Sequence, residues 1–189
     1  MSKYMSETER LASLYCTPPH ITKALLKREL FGGSIWEPCA GRGHIVTVLR
    51  ECGYRDVMAS DLNDWGFPCY VEDFLASRRQ ADCILTNPPF HLKKQFLSQA
   101  KRLARHKIAM LLPYDFDCTM GFLTNHAPDT EFALKAVYGL PQAIRWHNVA
   151  ATWGKLKVAW FVFERGYSGD VVRSFIKFSR RNRRATTRD

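Results

Sequence analysis

The stretch Ser34-Ile35-Trp36-Glu37-Pro38-Cys39-Ala40-Gly41-Arg42-Gly43 decides the reading of the fold. Its opening residues 34–36 predict a short strand. Glu37-Pro38 ends that strand, and Gly41 and Gly43 permit the close backbone turn of a strand-to-helix junction. Residues 45–52 then predict a helix. The turn is neither the GxGxxG dinucleotide fingerprint nor a phosphate loop ending in GK[ST].

Working outward, Pro18-Pro19 followed by Ile21, Leu25, Leu26 and Leu30 predicts an amphipathic helix over residues 18–31. Downstream, strands are predicted at 57–60, 69–71, 81–86 and 107–112, with a helix at 93–103. The first three of these strands run into polar residues: Asp61, Glu72-Asp73 and Asn87. The alternation predicts an α/β domain with a mainly parallel sheet. Ligands of such sheets lie outside the carboxyl ends of the strands, so Glu37, Asp61, Asp73 and Asn87 are expected to converge. Further strands are predicted at 132–137 and 157–164. The unbroken apolar run Val158–Phe163 places Trp160 and Phe163 in the core. Residues 139–155 read as a long loop rich in binding groups, including Trp146, His147, Asn148 and Trp153.

The 189 residues fit one domain, and 46% apolar content supplies a core. No apolar run reaches membrane-spanning length, and the N-terminus lacks a secretory apolar segment, so a cytoplasmic protein without a membrane partner is expected. Six cysteines at 16, 39, 52, 69, 83 and 118 form no CxxC pair. They read as reduced, mostly buried thiols, and His20, His91 and His147 as surface or loop residues; no metal site is expected. The net charge is +10, of which residues 171–189 contribute +6. The expected division is a main domain over residues 1–170 and a flexible basic tail over 171–189. Such a tail attracts phosphate backbones or simply solubilises the chain.

The run Asn87-Pro88-Pro89-Phe90 directly follows the apolar Cys83-Ile84-Leu85. It offers a planar amide, a rigid carbonyl and an aromatic face at one point, a grip suited to a planar amino group. Together with Tyr15-Cys16-Thr17-Pro18-Pro19, the Glu37–Gly43 loop, Asp61 and Glu72-Asp73-Phe74, this motif makes residues 15–165 resemble the class I S-adenosylmethionine-dependent methyltransferases, specifically the adenine-N6 group. The segment Asp115–Gly169, with Gly154-Lys155 and Val158–Gly166, resembles small phage or prophage DNA adenine methyltransferases, which implies a bacterial or phage-infected cell. The fold implied is Rossmann-like, with an antiparallel C-terminal strand.

The resemblance implies S-adenosylmethionine as cofactor. Thr17 and the backbone around Pro38, Cys39, Gly41 and Gly43 would hold its methionine portion, and Glu37 would organise the loop and reach the ammonium through water. Asp61 would accept the ribose hydroxyls and Asp73 the adenine amine, with Phe74 covering one adenine face. Asn87 and the Pro88 carbonyl would each accept one N–H of the target amine. Pro89 would stiffen the loop, and Phe90 would stack on the target base. Arg145 is a candidate phosphate contact, and the pair Lys155 and Lys157 a candidate lining of the entry. Trp146 or Trp153 either supports an extruded base or packs on the sheet. DNA is the favoured partner and RNA the nearest alternative. A protein glutamine-N5 methyltransferase and an inactive nucleic-acid-binding module remain as further readings. Nothing in the residues fixes an oligomeric state.

Overall fold

The computed structural model describes residues 16–118, 122, 131–140 and 157–176. Its elements run α1 (Pro19–Leu26), β1 (Ile35–Glu37), α2 (His44–Glu51), β2 (Val57–Asp61), β3 (Tyr70–Val71), β4 (Ala81–Thr86), α3 (Lys93–Leu103), β5 (Ala104–Pro113), β6 (Phe132–Gly139), β7 (Val158–Arg165) and β8 (Val172–Phe175). The strands form one sheet in the order β3-β2-β1-β4-β5-β7-β6-β8. β1 pairs in parallel with both β2 and β4, Trp36 standing level with Met58 and Ile84. β7 is antiparallel to its neighbours β5 and β6, and β8 is parallel to β6. Among the described strands β7 alone runs against the rest. The mainly parallel sheet with a late antiparallel strand is the architecture expected from the sequence.

The sheet separates two apolar layers. On one face Ile21 and Leu25 of α1 and Ile45 and Leu49 of α2 pack on Ile35, Leu85, Leu111, Trp160 and Val162. On the other, Phe96, Leu97, Ala100 and Leu103 of α3 cover Trp36, Ile84, Ile108, Met110, Phe161 and Phe163. Coverage on both faces explains why β4 and β7 read as continuous apolar runs rather than alternating ones. Trp160 and Phe163 are both fully buried, as their run predicts. Among the described residues no helix is long and apolar enough to cross a membrane.

Three expectations need correction. The helix predicted to residue 31 stops at Leu26. Glu29 turns inward instead, where its carboxylate accepts bonds from Tyr138 Oη (2.7 Å), Lys107 Nζ (3.0 Å) and Lys135 Nζ (3.1 Å). Burial opposes the charge on Glu29, but these donors outweigh it and hold its pKa below the usual value. The thiols are not mostly buried: Cys83 is, whereas Cys52 and Cys118 are exposed. The basic segment from 171 does not begin as a tail. Val172–Phe175 extend the sheet by pairing with Ala136–Gly139, and Arg173 is bonded to the buried Asp117. Residues 177–189 lie outside the described residues.

Candidate active site

The carboxyl ends of β1, β2 and β4 meet around the Glu37–Gly43 turn. Glu37 is fully buried at the end of β1. Its Oε1 accepts the Cys39 amide (2.9 Å) and the Thr86 hydroxyl (2.6 Å). Its Oε2 is also buried and has no hydrogen-bond partner among the described residues. Burial pushes the Glu37 carboxyl up to about 8 against the lowering effect of the Thr86 and Cys39 bonds, with Asp61 raising it further. Burial, with Glu37 and Asp61 nearby, also pushes the Cys39 thiol well up, so it stays protonated and is no nucleophile.

The turn itself is left-handed at Gly41 (φ 52°) and Gly43 (φ 78°). A side chain on Gly43 would also collide with the Phe67 ring, which approaches its Cβ position to 2.2 Å. The turn is fastened to β2 by Ala40 N donating to Ser60 O (2.9 Å) and by Gly41 N donating to Asp61 Oδ2 (2.9 Å). Asp61 Oδ1 accepts two more bonds, from Asn63 N and from the Trp65 indole N–H, both at 3.0 Å. A carboxylate offers about four acceptor positions, and three are filled. One position is open to a ribose hydroxyl, and a diol donating twice would compete with the Trp65 or Asn63 N–H on Oδ1.

At β3 the structure separates the expected pair. Asp73 is exposed at the strand's end, its Oδ1 accepting Leu75 N (2.9 Å). Phe74 is corrected: it points into the α3-side core, 2% exposed, edge-on to Trp36 (5.2 Å) and stacked on Phe96 (5.0 Å). Gln99 Nε2 of α3 donates to Phe74 O and fixes that descent. The ring is thus not available to cover an adenine face.

At β4, Asn87 is half-buried and its Nδ2 donates to Thr17 Oγ1 (3.0 Å). With Nδ2 on Thr17, the amide oxygen is the end left to accept. Thr17 is buried just before α1; the pKa of His44, at the start of α2, is lowered first by burial and then by Arg42, against a raising effect of the Thr17 backbone. The consecutive residues Thr86 and Asn87 thus tie β4 to the β1 acid on one side and to the α1 approach on the other. Pro88 is buried, Pro89 half-buried, and Phe90 packs partly against the α1- and α2-side core. Of the sequence-predicted residues, the structure brings together Thr17, Glu37, Pro38, Cys39, Gly41, Gly43, Asp61 and Asn87–Phe90. Asp73 stands at the neighbouring strand end. Arg145, Trp146, Trp153 and Lys155 lie outside the described residues. Sequence reasoning missed His44, Trp65, Phe67 and Thr86. The aromatic content of residues 62–69, directly after Asp61, was the available signal for two of them.

The cluster has no acid–nucleophile pair and, among the described residues, no group of His, Cys, Asp and Glu able to hold a metal ion. It is a cradle for a polar ligand beside a hydrogen-bonding amide. A cavity of about 570 Å³ lined by Leu30, Gly33, Asp82, Lys107 and Glu164 belongs to the opposite edge of the sheet, against the Glu29 charge network, and plays no part in this cradle.

Solved structures with this architecture settle the fold. A candidate RNA methyltransferase from Pyrococcus horikoshii superposes with a TM-score of 0.67 at 14% identity, over 87% of this chain and 94% of that one. The fold is that of the class I methyltransferases. A modification subunit assigned to a type I restriction enzyme of Vibrio vulnificus gives 0.63 at 15% identity, over 89% of this chain but only 48% of its own. Magnesium protoporphyrin IX methyltransferase from Synechocystis, solved with S-adenosylmethionine bound, gives 0.54 at 12% identity over 84% and 79%. No protein-family model matches the sequence, and comparison with curated proteins finds no match.

Proposed function

We propose that this protein transfers a methyl group from S-adenosylmethionine to the exocyclic N6 of adenine in DNA. The observation that carries the reading is Asn87, oriented by Thr17 at the end of β4, beside the Glu37–Asp61 cradle in a class I methyltransferase fold. The residues present fit the cofactor. The two left-handed glycines open the turn to close approach, Asp61 presents acceptors to a ribose, and buried Glu37 Oε2 presents an acceptor to an ammonium.

When bound, S-adenosylmethionine supplies an electrophilic methyl group on a sulfonium. The protein's part is to position the amine. An adenine amine is a poor nucleophile because its lone pair is delocalised into the ring. Asn87 Oδ1 and the Pro88 carbonyl each accept one of its N–H groups, which favours a pyramidal nitrogen with its lone pair turned to the methyl. Phe90 offers a face for the base, and in duplex DNA the base must leave the stack to reach it. Asn87 and Pro88 would hold the amine in line with the methyl that the bound cofactor supplies, and the surplus N–H proton would pass to solvent, since an amide is no base. Aligning the two reactants is the main contribution, worth up to ~7–11 kcal/mol in favourable intramolecular reactions.

Transfer of labelled methyl to separate DNA, RNA and protein pools tests the reading. Label recovered as N6-methyladenine in DNA supports it. Label in RNA alone transfers the same Asn87 chemistry to an RNA substrate, and label only in protein or in none rejects the nucleic-acid assignment.

Glu37 gives a second, independent readout. With its carboxyl pushed up to about 8 by burial, it is protonated at pH 7 in the free protein. A cationic ammonium favours the ionised form, so cofactor binding at pH 7 should release a proton and tighten as pH rises toward 8. Calorimetry in buffers of different ionisation enthalpy measures this, and Glu37→Gln should abolish the release. Equal proton release in wild type and Glu37→Gln would remove Glu37 from the ammonium site. The stability linkage has the same origin. The folded state holds a proton that the unfolded chain loses near 4.5, so this contribution is full below that pH and is lost as pH rises through about 8.

A further inference from the structure

β8 builds a surface that the methyl-transfer reading leaves unused. It is parallel to β6 and therefore to β4 and β5, so its carboxyl end reaches the same edge of the sheet as Asn87. There the Phe175 ring stacks on Tyr114, the first residue after β5, with centroids 5.9 Å apart and planes 16° from parallel. Both rings lie over Gly139, the last residue of β6. A methyl group on Gly139 would come within 2.8 Å of each ring, so this glycine is the floor that lets the rings settle. The pair is not core: Tyr114 is 37% and Phe175 57% exposed.

We infer that Tyr114 and Phe175 form a stacking platform for an unpaired base of the nucleic-acid strand whose target adenine occupies the Asn87 site. The inference rests on the nucleic-acid reading above and specifies where the flanking strand runs. Three observations select this occupant. Stacked, solvent-facing rings offer flat π-surface, which any base can use. The residues that follow Ile176 carry six Arg or Lys against one Asp, so a phosphate-attracting segment begins two residues beyond Phe175 in the chain. β6 also stands three strand spacings from β4, about 14 Å at ~4.8 Å each. That is too far for the target base itself and within reach of a nucleotide a few positions away on the same strand. An acidic or apolar protein surface would use the cations or the rings, whereas a nucleic-acid strand uses both.

The test measures binding of a fluorescein-labelled single-stranded DNA, the same sequence as RNA, and the DNA duplex, by anisotropy. Wild type is compared with Tyr114→Ala, Phe175→Ala, Tyr114→Phe and Phe175→Tyr. Each alanine variant should bind the single strand about 5- to 150-fold more weakly. The aromatic exchanges should stay near wild type, and S-adenosylmethionine affinity should not change in any variant. Tighter binding of RNA than DNA with the same alanine losses keeps the platform and makes RNA its source. Alanine variants that bind all three probes like wild type overturn the platform while methyl transfer, if present, keeps the Asn87 reading. A wild type that binds none of the probes overturns both. If the alanine variants do not fold by circular dichroism, photocrosslinking of wild type to a 5-iodouracil-substituted strand decides. Crosslinks at Tyr114 or Phe175 support the platform, and crosslinks confined to other residues overturn it.

Discussion

Asn87→Ala should abolish detectable methyl transfer while leaving S-adenosylmethionine affinity close to wild type. The amide contributes its oxygen to the amine only as the nitrogen becomes pyramidal, so its loss falls on kcat and not on cofactor binding. Removing one preorganised hydrogen-bonding group at a reacting centre commonly costs 10²–10³ in rate. Here the Pro88 carbonyl alone cannot hold both N–H groups, so the larger value is expected. The fold should survive. The variant gives up one bond to Thr17 (3.0 Å), about 1 kcal/mol, which a thermal melt will register as a small shift. Single-turnover transfer to a substrate strand, with calorimetric binding of the cofactor alongside, separates the two effects. Transfer retained above a tenth of wild type would take Asn87 out of the chemistry.

Asp61→Ala is expected to be the largest single loss of cofactor affinity, two orders of magnitude or more. The carboxylate accepts Gly41 N, Asn63 N and the Trp65 indole N–H, and hydrogen bonds to a charged group contribute ~1.5–3 kcal/mol each. Its removal therefore frees the glycine turn as well as deleting the acceptor for a ribose. Asp61→Asn keeps one accepting oxygen and should lose less. The Trp65 contact adds an optical signal. A ribose engaging Asp61 binds beside the indole or competes with it for Oδ1, so saturating wild type with cofactor should change tryptophan emission, and Trp65→Phe should remove most of that change. Asp61→Ala that binds the cofactor like wild type would show that the acid serves the turn alone.

How much of this was legible in the chain depends on what kind of force sets each feature. β4 and α3 fall where the apolar run 81–86 and the helical period 93–103 predict them, because burial on both faces or on one stripe writes itself into residue type. β5 starts three residues early, at Ala104, which pairs with Ala81; a register shift spanning Arg105 and His106 separates that pair from Lys107 opposite Cys83, and hydropathy reads the interrupted start as loop. β8 was hidden by its own charge: the alternation in Val172-Arg173-Ser174-Phe175 is adjacent to a run of cations, and Arg173 finds Asp117 only through tertiary contact.

At the site, the convergence of Glu37, Asp61 and Asn87 followed from strand ends in a parallel sheet. The direction of a single side chain did not. Nothing local says that Phe74 descends onto Phe96 instead of rising beside Asp73, or that Trp65 folds back onto Asp61 four residues earlier. Bonds of that kind are decided by packing across the sheet, and the adjacent residue pattern is compatible with either outcome.

β8 also determines how the sheet meets other copies of itself. Among the described residues the outermost strands are β3, of two residues, and β8, of four, both too short to template a long foreign strand. Without β8 the outer strand would be β6, eight residues from Phe132 to Gly139 with its second half buried, a longer and partly apolar edge of the sort that recruits neighbouring chains. The four residues that bring Phe175 to the reacting edge therefore also act as a guard against self-association. A chain shortened at residue 171 to remove its positive charge would lose that guard, whereas one shortened after Ile176 would keep it.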